Sequence, residues 1–249
     1  MIINSIKKTS LNKRGVMLKK DRVLVVVAHP DDEILGCGGT LHSILRHGGV
    51  VRVLILGEGS TCRFSLKELF SKEAKLKIEE RLSFARLAHK SLGLSDVIFE
   101  NLICGRFDQE PVIDIGKRIE GHIKSFLPDT VLTHWGEDTN SDHRITFGAV
   151  LTATRPVPGI SVKNLLCFET LSSTEWQFSK TFKPNYFVNI KKDIDAKVAA
   201  FNCYAPSESK PFPYPRNEDG LRILAKMRGM QVGLESAEAY EIVRCIDFN

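Results

Sequence analysis

The chain reads as one alternating α/β domain with a mainly parallel sheet and helices on both sides. Three observations predict it. Apolar runs of strand length recur at Val23–Ala28, Val50–Leu56 and Thr130–His134, and an apolar run without alternation suits a strand covered on both faces. Segments with helical spacing separate them, and strand–helix alternation favours parallel pairing through crossovers. Gly48-Gly49, Gly93 and Pro128 punctuate the boundaries.

In chain order, Val23–Ala28 is the first strand. Ile34–His47 is a helix, and Gly36, Gly38 and Gly39 near its start let it pack closely on the sheet. Val50–Leu56 is the second strand. Leu66–Leu92 is a long helix, with Leu76, Ile78, Leu82, Ala85, Leu87 and Ala88 near helical spacing and Gly93 as its stop. Asp96–Glu100 is a short strand, Ile113–Phe126 a helix ended at Pro128, and Thr130–His134 another buried strand. The stretch from Arg155 to Pro215 is richer in Pro, Ser and aromatics and is predicted to add strands and loops that wall a cleft, without forming a second domain. No internal repeat or low-complexity run interrupts the pattern.

A length of 249 residues with 43% hydrophobic content suits one large globular domain. No run approaches the ~18 apolar residues of a membrane-spanning helix. Residues 1–20 carry Lys7, Lys8, Lys13, Arg14, Lys19 and Lys20, no acid, and no apolar core of a signal peptide. They are predicted to be a weakly ordered basic tail preceding a domain over 21–249. Without those six cations the formal charge falls from +5 to −1. The basic balance therefore belongs to the tail and argues against a nucleic-acid partner. Cys37, Cys62, Cys104, Cys167, Cys203 and Cys245 form no C-x-x-C pair, and with no secretion signal they are expected to be free thiols in a reducing cytoplasm.

Chemistry concentrates after two strands. Ala28-His29-Pro30-Asp31-Asp32-Glu33 ends the first, and the carboxyl ends of strands in open α/β sheets are where ligands bind. His29 and Asp32 offer one nitrogen and one oxygen, a donor pair suited to zinc and related divalent ions. Asp31 is then free to act on an activated water. The same acids also suit the first turn of the next helix. A second cluster, Thr133-His134-Trp135-Gly136-Glu137-Asp138-Thr139-Asn140-Ser141-Asp142-His143-Arg144, follows another strand and opens on the same sheet edge. His143 supplies a third ligand, and three protein ligands with an open position is the catalytic pattern. Asp142 can orient an imidazole from outside the ligand set. The alternative is a polar loop with a helix cap at Ser141 or Asp142.

These residues resemble the LmbE-like, or PIG-L, family of zinc-dependent N-deacetylases. The resemblance is carried by Ala28 to Glu33 with Leu35-Gly36-Cys37-Gly38-Gly39, by Asp142-His143-Arg144, and by Pro213-Tyr214-Pro215-Arg216, Arg228-Gly229 and Ala237-Glu238-Ala239-Tyr240. It covers about Val23 to Arg244. It implies a Rossmann-like three-layer fold and hydrolysis of an acetamide on an amino sugar. Carried over, His29, Asp32 and His143 match the metal ligands, with Zn2+ expected and Fe2+ an alternative, and Asp31 matches the general base. Asn140 stands where many members have a histidine assigned to the oxyanion or to proton delivery. Arg81 fits the family's substrate-binding arginine. Phe84 stands where a glutamate is usual, and Cys104 where an aspartate often contacts the sugar.

Glu58, in Gly57-Glu58-Gly59 after the second strand, and Arg216 are expected to line the same cleft and contact substrate. His134 is read either as a partner behind the ligands or as a packed histidine. The expected substrate is an N-acetyl amino sugar, as a nucleotide or glycoconjugate precursor of surface polysaccharide. The alternatives are a thiol-precursor glycoside of bacillithiol or mycothiol type, another N-acyl amide, or a non-catalytic metal-containing sugar binder. A homo-oligomer is compatible with the sequence.

Overall fold

The structure, a computed structural model, describes residues 18, 21–159 and 161–247. The basic tail, Leu18 apart, lies outside the described residues.

Seven strands form one sheet: β1 Arg22–Val27, β2 Val50–Gly57, β3 Asp96–Leu102, β4 Thr130–His134, β5 Asn164–Phe168, β6 Tyr186–Asn189 and β7 Ala237–Cys245. Their order is β3-β2-β1-β4-β5-β7-β6. The first five pair in parallel, whereas β7 runs antiparallel to β5 and β6. Among the described residues seven α-helices flank them: α1 Asp32–Arg46, α2 Lys72–Leu92, α3 Val112–Phe126, α4 Ser141–Ala153, α5 Ile194–Asn202, α6 Ala205–Glu208 and α7 Glu218–Met230.

Side chains alternate across a strand, so the unbroken apolar run of β1 serves two cores. Val23, Val25 and Val27 join the core under α1, α2, α5 and α7, while Leu24, Val26 and Ala28 join the one under α3 and α4. The expected close packing of α1 is realised at Gly36, where a Cβ would come 2.1 Å from the Phe168 ring of β5.

The chain leaves β1 for one face and β4 for the other, so strand order reverses between them. That is the crevice where open α/β sheets bind ligands. It places the segments after β1, β2, β3 and β4 at one edge.

Three differences from the sequence expectations have physical causes. Helix α1 starts at Asp32, two residues early, which puts Asp32 and Glu33 in its first turn. Helix α2 starts at Lys72, because the Ser71 side chain accepts from Ala74 N–H and caps it there. The region 155–215 is more than a wall: β5 pairs inside the sheet and α5 packs on α1 and α2. Its later part, with α6 and the loop to Arg216, does line the cleft.

Candidate metal and active site

The turn from β1 into α1 holds its residues in an unusual backbone. Asp31 caps α1 at φ 113°, in the left-handed region, a conformation that costs about 1–3 kcal/mol and persists only where neighbours hold it. Here Glu33 accepts from Asp31 N–H at 3.1 Å, and Asp31 C=O accepts from Ile34 and Leu35 N–H at 3.0 and 2.8 Å. Glu33 is itself fixed by His89 at 2.8 Å and the Tyr204 hydroxyl at 3.1 Å. The third acid of the motif is thus structural, and so is His89, to which the sequence assigned no role.

His29, Asp32 and His143 converge, all buried, with one donor atom of each within 4.8 Å of the others. His29 Nδ1 lies 3.5 Å and His143 Nε2 3.4 Å from the same Asp32 Oδ2. The other nitrogen of each ring faces a carboxylate. His29 Nε2 donates to Asp142 Oδ2 at 2.9 Å, and His143 Nδ1 lies 3.2 Å from Asp138 Oδ1. Asp142 is fixed by Gly105 and Phe107 N–H, and Asp138 by Asn140 N–H, Thr174 Oγ1 and the Ser173 hydroxyl. Two imidazoles held by outer carboxylates, with inner nitrogens turned toward one carboxylate oxygen, is the donor set and support a divalent ion requires. The residues fit such an ion. A second grouping, His29, Cys104 and Asp142, also lies within 4.8 Å, but occupying it breaks the His29–Asp142 hydrogen bond.

Electrostatics follow from burial and crowding. Burial pulls His29 down, yet the hydrogen bond to Asp142 and the nearby Asp32 carboxylate lift it to about 10. Burial pushes Asp32 up, but His143 and His134 hold it well below the usual carboxylate range. Asp138, pushed up by burial, is held at about 2 by His143 and the two hydroxyls. Burial and the neighbouring His143 charge press His134 down to about 4. That neutral ring accepts from Ala28 N–H at 2.9 Å and stacks on His143, with centroids 3.8 Å apart. His134 unites features of both readings: it is buried and stacked on His143, and its Nε2 also lies 3.4 Å from Asp32 Oδ2.

Asp31 shares the cavity, of about 470 Å³, with His29, Asp32 and His143. Burial raises its carboxyl to about 7 against the pull of Arg81 and Arg216, whose guanidinium groups lie 3.0 and 3.1 Å away. Arg81 is buried and also bonds Pro30 C=O, Ser207 and Glu208, so it clamps Asp31. Arg216 bonds Ser172 and Glu208 and stays partly exposed in the cavity wall. Asn140 lines the cavity as well. Its Oδ1 caps α4 by accepting from Asp142 N–H at 2.9 Å, which leaves its amide NH2 as the remaining donor.

Glu58 is put to a different use from the one expected. Its carboxylate accepts from Ser60, Thr61 and Cys104 N–H at 2.7, 3.1 and 2.9 Å, tying together the loops after β2 and β3. Sequence reasoning missed Asp138 and Glu208. Asp138 left one signal, an acid five residues before His143. Glu208 left none, since only folding brings it to Arg63, Arg81 and Arg216.

The chain is similar to known proteins. An uncharacterized deacetylase, YaiS, of Escherichia coli K12 is 27% identical over 188 residues, covering 73% of this chain and 89% of that one. The diacetylchitobiose deacetylase of Thermococcus kodakarensis is 26% identical over 227 residues, covering 89% and 83%. The solved structure of GalB, the 4-carboxy-2-hydroxymuconate hydratase of Pseudomonas putida KT2440, superposes with a TM-score of 0.71 at 23% identity, covering 92% and 98%. At that identity the likeness speaks for the fold alone. The family described as PIG-L, GlcNAc-PI de-N-acetylase, matches residues 24–154, more than half of the chain and all of both clusters. The chain belongs to the PIG-L family.

Proposed function

We propose that the protein is a metal-dependent hydrolase that removes the N-acetyl group from an amino sugar. Its family is described as a GlcNAc-PI de-N-acetylase, and both curated relatives named above are deacetylases. The observation that carries the finer reading is the convergence of His29, Asp32 and His143 beside Asp31 in one buried cavity. Zinc is the expected ion, and Fe2+ suits the same donors.

His29, Asp32 and His143 would hold the ion, which would supply Lewis acidity to polarise the acyl oxygen and acidify water. Asp142 holds His29 Nε2–H, so that Nδ1 is the nitrogen that would give up its proton to bind the ion. Asp31 accepts the proton of the attacking water at a carboxylate oxygen and returns it to the leaving amine. Arg81 and Arg216 fix that carboxylate in place. The Asn140 amide N–H donates to the developing oxyanion. Because an amide cannot deliver a proton to the amine, the proton shuttle falls to Asp31 alone. Arg216, partly exposed in the cavity wall, contacts the sugar or its anionic substituent. Arg81 and Glu58 support substrate indirectly, through Asp31 and through the loops after β2 and β3.

The substrate is an N-acetyl amino sugar in nucleotide-linked or glycoconjugate form, on a route to surface polysaccharide, and the setting is cytoplasmic. No helix among the described residues is long and apolar enough to cross a membrane, and all six thiols are unbridged. Acetate release from free, nucleotide-linked and lipid-linked N-acetyl sugars, by metal-loaded and metal-stripped protein, tests the reading. Metal-dependent release from one class is expected. Release from none, with metal bound, overturns it in favour of another acyl substrate or a non-catalytic sugar binder.

A further inference from the structure

Two cysteines that this chemistry does not use stand together on the cavity wall. Cys62 lies in the 3-10 turn Thr61–Arg63 beyond β2, and Cys104 in the turn beyond β3. Cys62 is exposed and Cys104 is buried. Both line the cavity that holds His29 and Asp31. The two turns touch: a Cβ built on Gly105, the residue after Cys104, would lie 3.0 Å from Cys62 Cβ.

The pairing is built, not incidental. One Glu58 oxygen accepts from Ser60 and Thr61 N–H at 2.7 and 3.1 Å, while the other accepts from Cys104 N–H at 2.9 Å. A single buried carboxylate therefore holds the two cysteine-bearing turns against each other. The next residue, Gly105, donates N–H to Asp142 Oδ2 at 2.6 Å, and that same oxygen accepts from His29 Nε2. The thiol pair is thus one residue away from the carboxylate that orients a proposed metal ligand.

We propose that Cys62 and Cys104 are a reversible oxidation site, closing to an intramolecular disulfide that displaces Gly105 from Asp142 and loosens His29. The effect on the metal rests on the function proposed above; the disulfide does not. The oxidant is a small-molecule disulfide such as oxidised glutathione. The exposed Cys62 loses its proton and attacks one sulfur of that disulfide, whose S–S bond breaks and releases one thiol that takes up the proton. Cys104 then loses its proton and attacks Cys62 Sγ of the mixed disulfide, expelling the second thiol, which is protonated in turn. Two protein thiols are oxidised and one small disulfide is reduced to two thiols.

The test treats the metal-loaded full chain with oxidised glutathione, quenches with an alkylating agent, and reads non-reduced peptide masses, zinc release to a chromogenic chelator, and acetate release. A Cys62–Cys104-linked peptide is expected in the wild type and in neither Cys62→Ser nor Cys104→Ser. With it come zinc release or turnover changed by about 10- to 100-fold, as for loss of an outer orienting carboxylate, and recovery on dithiothreitol. Glutathione accumulating on Cys62 without the linked peptide overturns the pairing. The linked peptide with zinc retention and turnover unchanged overturns the coupling to the metal ligand. If acetate is never released by reduced protein, the function fails while the disulfide and zinc readouts still decide the site.

Discussion

Two buried carboxylates in this chain have opposite surroundings. Glu238, on β7, has each of its lone pairs engaged. Oε1 accepts from Gly39 N–H and Lys197 Nζ at 2.9 and 2.6 Å, and Oε2 accepts from Thr40 N–H and the Tyr240 hydroxyl at 2.7 and 3.2 Å. Lys197 also donates to Leu35 C=O. The cluster ties α1, α5 and β7 together and asks for nothing more. Asp32, at the sheet edge, takes one hydrogen bond at 2.8 Å from His29 N–H, while three imidazole nitrogens stand around its Oδ2 at 3.4–3.5 Å. Burial makes an incompletely partnered ion costly. A closed cluster is a structural tie, whereas an open one at a strand end is built for something that arrives from outside.

That contrast can be broken experimentally. Glu238→Ala leaves the Lys197 charge buried without its partner and is expected to cost about 3–5 kcal/mol, read as a fall in the denaturant midpoint at unchanged slope. Asp32→Ala is expected to cost less in the metal-free protein, because the buried imidazoles it leaves shed a proton more readily than Lys197 does, and a cost equal to that of Glu238→Ala would make the two clusters equivalent. Next in size, zinc at 100 times its Kd is expected to stabilise the wild type by about 2.7 kcal/mol, and the same addition should leave the melting curve of Asp32→Ala where it was. A wild type indifferent to zinc, iron and other divalent ions would remove the open cluster's purpose.

Smaller effects sharpen the picture. Asp142→Asn keeps the shape but changes what His29 Nε2 meets. A loss of about 10- to 100-fold in metal affinity or turnover is expected, by titration with a competing chelator, with little change in stability. Gly36→Ala forces a methyl into the Phe168 ring and is expected to destabilise by about 1–3 kcal/mol while zinc stoichiometry holds, since Gly36 lies behind the site.

How much of this could be read from sequence follows the distance between cooperating residues. β1 was legible as an apolar run, and its polar tail as a candidate ligand cluster, because neighbours in the chain carry the signal. The pairing of His29 with His143 needed only the rule that parallel strands end at one edge. α4 starts at Ser141 with Asn140 as cap, one residue from a position weighed in advance. What stayed hidden depends on contacts between remote segments. Glu208 meets Arg81 only because α6 folds back over the cavity. Glu58 looked like a cleft acid because nothing local shows its carboxylate turning to Cys104 N–H. β7, which the strand periodicity did not place, runs antiparallel at one side of the mainly parallel sheet.

The most direct test is to prepare wild type and Asp31→Asn in parallel and measure, on the same samples, bound divalent metal per chain and acetate released from the best N-acetyl sugar. One ion per chain in both, with turnover lower by about 10²- to 10⁴-fold in the variant, is the predicted result. Equal turnover with metal bound in both would contradict the assignment of Asp31 as the proton acceptor and, with it, the account of the site.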